Sequence, residues 1–384
     1  MPEAAAPIGD IDVLILGAGP VGLTLARLLA GSGLRVVLVD RRTLSAQAAD
    51  PRTLALSHGA RQLLEPLGAW PGSKATIIES IHISQRNGFG RSLMQASDYG
   101  LPALGYVTRY GDLTAALTAS LPATTPVENC DIVSLQAQPD GVVVELRTTH
   151  GEARCNARLV VHAEGTLSDC AEVSTRDYHQ HALIAEVRCA EGHRRRAWER
   201  FTPDGPLALL PLERGYALVF TVPPEKAARL LTLDDHNFLA ALQDQFGQRL
   251  HFTDCGPRSA FPLALRWRRR LTTQRQVWIG NAAQSLHPVS GQGFNLGLRD
   301  AWQLAECLLA DACDPGLAIA GYAARRRLDR IGGTAFTDGI VRLFSNDIGP
   351  LKLARGLGLA ALDLFPPTRH FVAKRMLWGA RAWP

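Results

Sequence analysis

The stretch from residue 280 to residue 300 has the residue types and spacing most able to support chemistry. An apolar strand is predicted over 277–279, and a helix is predicted from Phe294 to Leu309. Glycines between them let a ligand approach the backbone closely, and a helix start offers free N–H groups and a partial positive charge. The pattern predicts a site for a flat cofactor that gains negative charge on reduction. Its candidate residues are Gly280, Asn281, His287, Pro288, Gly291, Gln292, Gly293, Phe294 and Asn295.

A second candidate site lies near the N-terminus, where a strand, a glycine-rich turn and a helix follow one another. The turn has the pattern G-x-G-x-x-G, the helix is predicted from about Leu23 to Gly31, and an acidic residue ends the next strand. In this context the glycines allow a tight turn, the approach of a pyrophosphate and close packing of helix on strand. The pattern predicts a dinucleotide site without separating NAD from FAD. Its candidate residues are Gly17, Gly19, Pro20, Val21, Gly22, Asp40 and Arg41.

A third pattern is the strand over 159–162, which is followed by Glu164 and Gly165. A strand that ends in an acidic residue and a glycine suits contact with a cofactor or a junction between domains. An ordinary turn at the end of a strand explains the same residues equally well.

Composition sets broad limits on the class of protein. A chain of 384 residues fits two domains, and an apolar content of 46% supports a buried core. A net charge of +5 is too small for this length to indicate a nucleic-acid partner. The seven cysteines form neither a C-x-x-C pair nor a metal-binding spacing. They predict reduced thiols in a cytoplasm, and residues 1–10 lack the pattern of a secretory signal.

The elements that must position these residues predict an α/β fold with a discontinuous domain layout. Strands are expected over 75–100 and again from about 177 to 262, where one helix, 235–246, interrupts them. The prediction is a Rossmann-like nucleotide-binding domain, an inserted mixed-sheet substrate domain and a helical C-terminal tail. The nucleotide-binding domain is expected over residues 1–74, 101–176 and 263–330. The substrate domain is expected over 75–100 and 177–262, and the tail over 331–384.

Together the three patterns resemble the class A flavoprotein aromatic hydroxylases, the p-hydroxybenzoate hydroxylase superfamily, over about residues 10–310. The ubiquinone-biosynthesis branch is more similar still, and residues 280–300 look like its 2-polyprenyl-6-methoxyphenol hydroxylases. Glu164 and Asn281 stand where the superfamily usually has Asp, and Gln284 stands where His is frequent; Asn281 and Gln284 are similar to what this branch carries. Further similar segments are Asp50-Pro51-Arg52-Thr53-Leu54-Ala55-Leu56-Ser57, 199–211, 259–263, Thr337-Asp338-Gly339 and Leu343-Phe344-Ser345-Asn346.

The resemblance implies an FAD-dependent monooxygenase that uses NAD(P)H as a transient electron donor. Such an enzyme would hydroxylate a polyprenylated methoxyphenol in ubiquinone biosynthesis with O2, through a flavin C4a-hydroperoxide. Residues 291–295 would surround the pyrimidine edge of the flavin, with Gly293 at the helix start, and Pro288 with His287 would line the reacting face of the ring. Asp40 and Arg41 would bind the adenosine ribose, and Arg52 would face the pyrophosphate or a mobile flavin.

Two of these residues, and the reaction itself, have more than one interpretation. His287 is either a general base or a residue that hydrogen-bonds within its loop, and Arg109 either reaches the flavin or is an exposed arginine at a helix start. The alternatives to hydroxylation are a reductase or other flavoprotein on the same scaffold, and a non-catalytic flavin-binding scaffold in a biosynthetic complex.

The segment 350–384 combines basic, apolar and aromatic residues. This composition suits a membrane surface or a lipid carrier, with the protein peripheral to the inner membrane. Packing on its own domain, or on a sister subunit in a homo-oligomer, explains the same pattern. The basic residues are Lys352, Arg355, Arg369, Lys374, Arg375 and Arg381.

Overall fold

The computed structural model describes residues 8–50, 52–149, 151–311, 313–344 and 349–379. Residues 1–7, Pro51, the Ser345-Asn346 pair and Arg381, cited above, lie outside the described residues. The described strands are β1 Ile8–Leu16, β2 Val36–Asp40, β3 Thr53–Ser57, β4 Thr76–Ile78, β5 Ser80–Gln85, β6 Arg91–Gln95, β7 Gly105–Arg109, β8 Val127–Gln138, β9 Gly141–Thr148, β10 Gly151–His162, β11 Val173–Cys189, β12 Arg196–Phe201, β13 Pro206–Leu212, β14 Gly215–Val222, β15 Phe252–Cys255, β16 Ser259–Arg268, β17 Thr272–Thr273, β18 Gln276–Trp278 and β19 Gln284–Ser285.

The helices cover the sheets and form the C-terminal tail. They are α1 Pro20–Leu29, α2 Leu44–Ala48, α3 His58–Leu64, α4 Tyr110–Ser120, α5 Pro224–Thr232, α6 Asp235–Phe246, α7 Gln292–Ala310, α8 Pro315–Ala318, α9 Tyr322–Phe344, α10 Gly349–Leu364 and α11 Pro366–Trp378. No helix within the described residues is long and apolar enough to cross a membrane.

A seven-stranded sheet contains the predicted nucleotide-binding fold. Its centre is parallel: β1 lies between β2 and β10, β2 also pairs with β8, and β10 also pairs with β18. Val13, Leu14 and Ile15 of β1 are completely buried, as expected for a parallel strand covered on both faces. Helix α1 begins at Pro20, earlier than the predicted Leu23, because proline fits the first helical position, where no N–H partner is needed.

A nine-stranded mixed sheet forms the second layer. Only β12 and β5 pair in parallel among its recorded pairings, and the others are antiparallel. One face carries a core that includes Leu183, Trp198, Phe220 and residues of α5 and α6. The prediction of a single helix here was wrong: α5 precedes α6, since its proline pair initiates the helix instead of breaking it.

The C-terminal tail packs against the rest of the fold. A Cβ on Gly59 of α3 would lie 2.5 Å from the Leu377 carbonyl oxygen of α11. A Cβ on Gly90, before β6, would overlap the backbone of Gly356 in α10. Asp363 accepts a hydrogen bond from the backbone N–H of Leu93 at 3.1 Å. The tail is therefore an integral part of the fold, as one of the two interpretations of its sequence expects.

Candidate active site

The N-terminal turn has the backbone geometry that its glycines predict. Gly17 has φ +107°, and a Cβ there would lie 2.6 Å from the carbonyl carbon of Ala163, at the end of the neighbouring strand β10. A Cβ on Gly22 would overlap the Gly17 carbonyl oxygen. These two positions therefore exclude any side chain, and the helix packs directly on the turn.

The space in front of the turn suits a phosphate group. Gly19 caps α1 without a side chain, which leaves the first N–H groups of the helix, at Val21 and Gly22, without intrahelical partners. Beside Gly19 lie the hydroxyl of Tyr110 and the side chain of Gln47. Gln47 is completely buried, and its Nε2 donor has no partner among the described residues. The sequence analysis missed both side chains, because they come from helices outside the motif.

Asp40 and Arg41 lie at the end of β2, beside the turn. The Asp40 carboxylate accepts hydrogen bonds from the backbone N–H groups of Ala18 and Arg42, both at 2.8 Å. Arg41 is exposed. These positions agree with the expected ribose contact, which stays a prediction.

The loop of residues 280–291 lies directly against the N-terminal turn. Cβ atoms on Gly280 and Gly297 would come within 3.3 and 3.0 Å of the Val21 side chain. Gly280 has φ +59°, and its N–H donates to Asp300 at 2.9 Å. Asn281 is exposed, and Gln284 is buried with its Nε2 2.8 Å from Asp300. The two candidate motifs therefore form one continuous site.

Helix α7 begins at this loop with an open N-terminus. It starts at Gln292, two residues before the predicted Phe294, and Gly291 caps it at φ +58° without a side-chain hydrogen bond. A Cβ on Gly293 would meet no atom within 4 Å. The free N–H groups and this empty space fit the electron-rich edge of a flavin. Together with the phosphate site at α1, the residues present fit FAD.

Two predicted flavin contacts also hold the site together. Asn295 is buried and connects α7 to β3: it accepts from the Ser57 N–H at 2.8 Å and donates to the Ala55 carbonyl at 3.0 Å. Gln292 donates to the Met376 carbonyl of α11 at 3.0 Å. Phe294, between them, is half-buried.

His287 is buried in the loop and bonds locally. Its Nδ1 accepts from the Val289 N–H at 3.1 Å, and its ring meets Tyr178 edge-on at 5.3 Å between centroids. Burial lowers the pKa of His287 to about 4, so the imidazole is neutral near pH 7. This geometry agrees with the loop-bonding interpretation, whereas a role as general base stays a prediction.

The remaining predicted cofactor contacts pair with neighbouring side chains. Arg52 forms an ion pair with Asp50 at 2.7 Å and lies over the Tyr110 ring, on the Gly19 side of the site. Arg109 instead binds Glu186 of β11 and Glu213, which follows β13 in the mixed sheet. Glu164 is exposed and lies 3.0 Å from Nδ1 of His162.

A buried ionic network supports the 280–291 loop from behind. Asp300, which holds Gly280 and Gln284, pairs with Arg326 at 2.6 Å. Asp329 pairs with Arg326 at 2.9 Å and with Arg299 at 2.7 Å. All four charged side chains are at most 7% exposed. The network connects the loop, α7 and α9, and the sequence analysis did not find it.

A cavity of about 280 Å³ opens between this loop, the mixed sheet and the tail. Pro288, Gly291 and Gln292 line it from the loop and the start of α7, and Phe344, Leu359 and Met376 line it from the tail. Most of the remaining lining is aliphatic, from Ile78, Ile81, Ile83, Met94, Leu104, Ala197, Ala208, Leu210, Val219, Ile340, Leu362, Val372, Ala373 and Leu377. The cavity thus suits an apolar ligand held against the candidate flavin site.

Glu199 is the acidic side chain that lines this cavity in the described part of the chain. Its Oε1 atom is shielded from solvent and has no hydrogen-bond partner among the described residues. Burial raises the pKa of Glu199 to about 8. The sequence analysis placed residue 199 in the segment 199–211, which is similar to the ubiquinone-biosynthesis branch, but the sequence alone does not show that its carboxyl lines a cavity.

Known proteins share both the sequence and the fold. The FAD binding domain family matches residues 10–330. Ubiquinone hydroxylase UbiL of Rhodospirillum rubrum is 35% identical, over 100% of this chain and 94% of the relative. The 3-demethoxyubiquinol 3-hydroxylase of Escherichia coli is 29% identical, over 92% of this chain and 94% of the relative.

A solved structure has the same fold as this chain. The p-nitrophenol 4-monooxygenase PnpA of Pseudomonas putida superposes with a TM-score of 0.74 at 16% identity, over 97% of this chain and 98% of that one. The chain therefore belongs to the FAD binding domain family and is an FAD-dependent aromatic hydroxylase, a class A flavin monooxygenase.

Proposed function

We propose that the enzyme hydroxylates a phenol that carries a polyprenyl chain, in the biosynthesis of ubiquinone. The names of both sequence relatives support this, since each refers to ubiquinone or a ubiquinol. NAD(P)H supplies the electrons and O2 the oxygen atom. The polyprenyl phenol, as the specific substrate of this chain, is the part that needs a direct test.

The apolar cavity is the observation that carries the proposal. Its volume is about 280 Å³, and an apolar cavity of about 150 Å³ is enough to bind benzene. It therefore holds one aromatic ring and a short part of an attached chain. Burial of the chain stabilises the complex by about 0.8 kcal/mol for each CH2 group.

The side chains of the protein position the reactants and exclude water. When bound, FAD accepts electrons from NAD(P)H and activates O2. We assign the α1 N-terminus to the pyrophosphate, Asp40 to the ribose, and the N–H groups at Gln292 and Gly293 to the flavin edge. Pro288 and the aliphatic walls keep the ring of the substrate against the flavin in a dry space.

The proposal includes contact between the tail and a lipid surface, from which a polyprenyl substrate would enter. Five large apolar side chains of α10, α11 and the residue between them are at least 56% exposed: Leu353, Leu357, Leu364, Phe365 and Phe371. The basic residues contribute less than their sequence suggests. Arg355 is buried and donates to the Phe344 carbonyl, and Arg369 faces Asp98 and Asp363.

Sedimentation with phospholipid vesicles tests this contact. The paired change Leu357→Ser and Leu364→Ser is expected to reduce vesicle binding without changing flavin content. Leu317→Ser is the matched control, because Leu317 is 64% exposed but lies on α8. Equal vesicle binding by all three proteins, or the absence of binding by the unchanged protein, would contradict the lipid contact.

Turnover of phenols with increasing prenyl length tests the substrate. The holoenzyme is expected to couple NAD(P)H oxidation to hydroxylated product. Ala208→Leu, which places three carbons in the cavity, should lower turnover of a phenol with several prenyl units more than that of a 2-allyl phenol. Ala228→Leu is the control, since Ala228 is exposed on α5. NAD(P)H oxidation without hydroxylation of any prenylated phenol would refute the proposed function.

A further inference from the structure

Glu199 lies on the face of the mixed sheet that borders the cavity. It is on β12, with Ala208 of β13 and Ile83 of β5 as its neighbours on the adjacent strands. The residues before and after it face the opposite side: Trp198 packs on Phe246, and Arg200 donates to the Gln245 carbonyl. The accessible part of Glu199 therefore faces the cavity that is proposed to receive the aromatic ring.

The charges around Glu199 leave its carboxyl without a counterion among the described residues. Arg369 is the other ionisable side chain that lines the cavity in the described chain, and it faces Asp98 at 3.8 Å and Asp363 at 3.9 Å. On the neighbouring strand β5, His82 contacts Trp198 on the far face of the sheet. On β12 itself, Arg196 bonds Ser80, and β13 carries no ionisable residue.

Glu199 is half-buried, and a carboxyl oxygen shielded from water without a partner destabilises a fold, so its presence calls for a function. The polar group that the cavity is proposed to receive is the phenolic hydroxyl of the substrate. Electrophilic hydroxylation of a ring is faster when that hydroxyl is ionised, because the phenolate donates electron density to the ring. A base in the cavity would therefore serve the reaction directly.

We propose that Glu199 is a catalytic residue that removes the proton from the phenolic hydroxyl of the substrate. The inference rests on the proposed function. The O–H bond of the phenol breaks, its proton moves to the Glu199 carboxylate, and the electron pair stays on the phenol oxygen. One negative charge enters this step on the carboxylate and leaves it on the phenolate, so the cavity gains no additional charge.

The acidity of the two groups is compatible with this transfer. The pKa of Glu199, raised by burial to about 8, is within about two units of the usual value near 10 for a phenol. Glu199 must be ionised before it can accept the proton. Hydroxylation by the unchanged enzyme is therefore expected to rise with pH up to about 8.

Binding spectra test the inference without turnover. The holoenzyme is titrated with 2-allyl-6-methoxyphenol, and the difference spectrum shows whether the phenol hydroxyl donates to a carboxylate. The phenol is the weaker acid by about two pKa units, so at pH 9 the bound probe is expected to stay mainly neutral, with its absorption shifted by the carboxylate in the unchanged enzyme but not in Glu199→Gln. Glu225→Gln is the matched control, because it makes the same change at an exposed position of α5 that does not line the cavity.

Turnover supplies the second measurement. Glu199→Gln is expected to retain its FAD and to oxidise NAD(P)H, while hydroxylation falls about 100-fold and loses its dependence on pH. Glu199→Asp keeps a carboxyl, so it should retain part of the pH-dependent rise and provides a variant if the Gln protein does not fold. The same probe spectrum in the unchanged enzyme and in Glu199→Gln at pH 9, or an unaltered pH profile in Glu199→Gln, would overturn the inference.

Failure of the proposed function gives a different result. In that case the unchanged holoenzyme hydroxylates no prenylated phenol, whatever residue 199 is. If it hydroxylates the phenol but gives the same probe spectrum and pH profile as Glu199→Gln, only the role of Glu199 is overturned.

Discussion

Replacement of Gly293 separates the stability of the fold from the binding of the flavin. In Gly293→Ala the added Cβ would meet no protein atom within 4 Å. Glycine in a helix costs about 0.5–1 kcal/mol relative to alanine, because it loses more backbone entropy on folding. The flavin-free variant is therefore expected to be as stable as the unchanged protein, or more stable by up to about 1 kcal/mol.

The same methyl group enters the space assigned to the flavin edge. Displacement of a reacting ring by about 1 Å can lower turnover about 100-fold. We expect weaker FAD binding and slower reduction by NAD(P)H in Gly293→Ala, and larger losses in Gly293→Val, whose side chain branches at Cβ. Urea unfolding of the flavin-free proteins, FAD titration by fluorescence and NAD(P)H oxidation measure the three quantities.

Gly339→Ala is the matched control for this experiment. Gly339 is exposed on α9, and a Cβ there would also meet no atom within 4 Å. It should gain similar stability and keep normal FAD binding and turnover. If Gly293→Ala binds FAD and turns over like the unchanged enzyme, the assignment of the α7 N-terminus to the flavin is wrong.

Three further changes test other parts of the structure. Asp40→Ala removes the acceptor of the Ala18 N–H bond and the proposed ribose contact, so FAD binding should weaken by about 1.5–3 kcal/mol, as measured by calorimetry; unchanged affinity would contradict the ribose assignment. Arg326→Met leaves Asp300 without its ion-pair partner, while Asp329 keeps Arg299, so the free energy of unfolding in urea should fall by about 3–5 kcal/mol; a loss no larger than that of an exposed Arg→Met change would contradict a role of this network in stability. The pKa of Glu199 is raised from 4.5 to about 8 in the folded protein, so the unfolded chain loses its proton first and the stability of the unchanged protein falls as pH rises from about 5 to 8. Glu199→Gln lacks this loss and should gain relative stability over the same interval, by on the order of 4 kcal/mol; a difference in unfolding free energy that is constant with pH would contradict the raised pKa.

The two motifs could be predicted because their requirements are local. A strand, three glycines and a helix within residues 12–31 define the N-terminal turn wherever the rest of the chain goes. The helix after Gly291 is equally local, although its start was misplaced by two residues. Resemblance to a family then supplied the cofactor and the reaction, which the local patterns alone left open.

The partners of polar side chains could not be predicted, because they come from distant parts of the chain. Nothing near Arg109 in the sequence indicates that it binds Glu186 and Glu213. Asn295 faces the candidate flavin site, yet its amide holds β3. The burial of Glu199 depends on strands and tail helices that meet only in the folded protein.

The contact between Gly90 and Gly356 has a consequence for how homologous sequences would be read. Two residues in contact often covary among homologous sequences, because a larger side chain at one position is compensated by a smaller one at the other. Here the Gly356 backbone already occupies the place of a Cβ on Gly90, and a Cβ on Gly356 would meet the Phe89 ring at 2.7 Å. Neither position can become smaller to accommodate its neighbour, so no compensating pair exists. Homologous sequences would therefore show no covariation between positions 90 and 356, although these two residues are in close contact. Each position should instead be an invariant glycine.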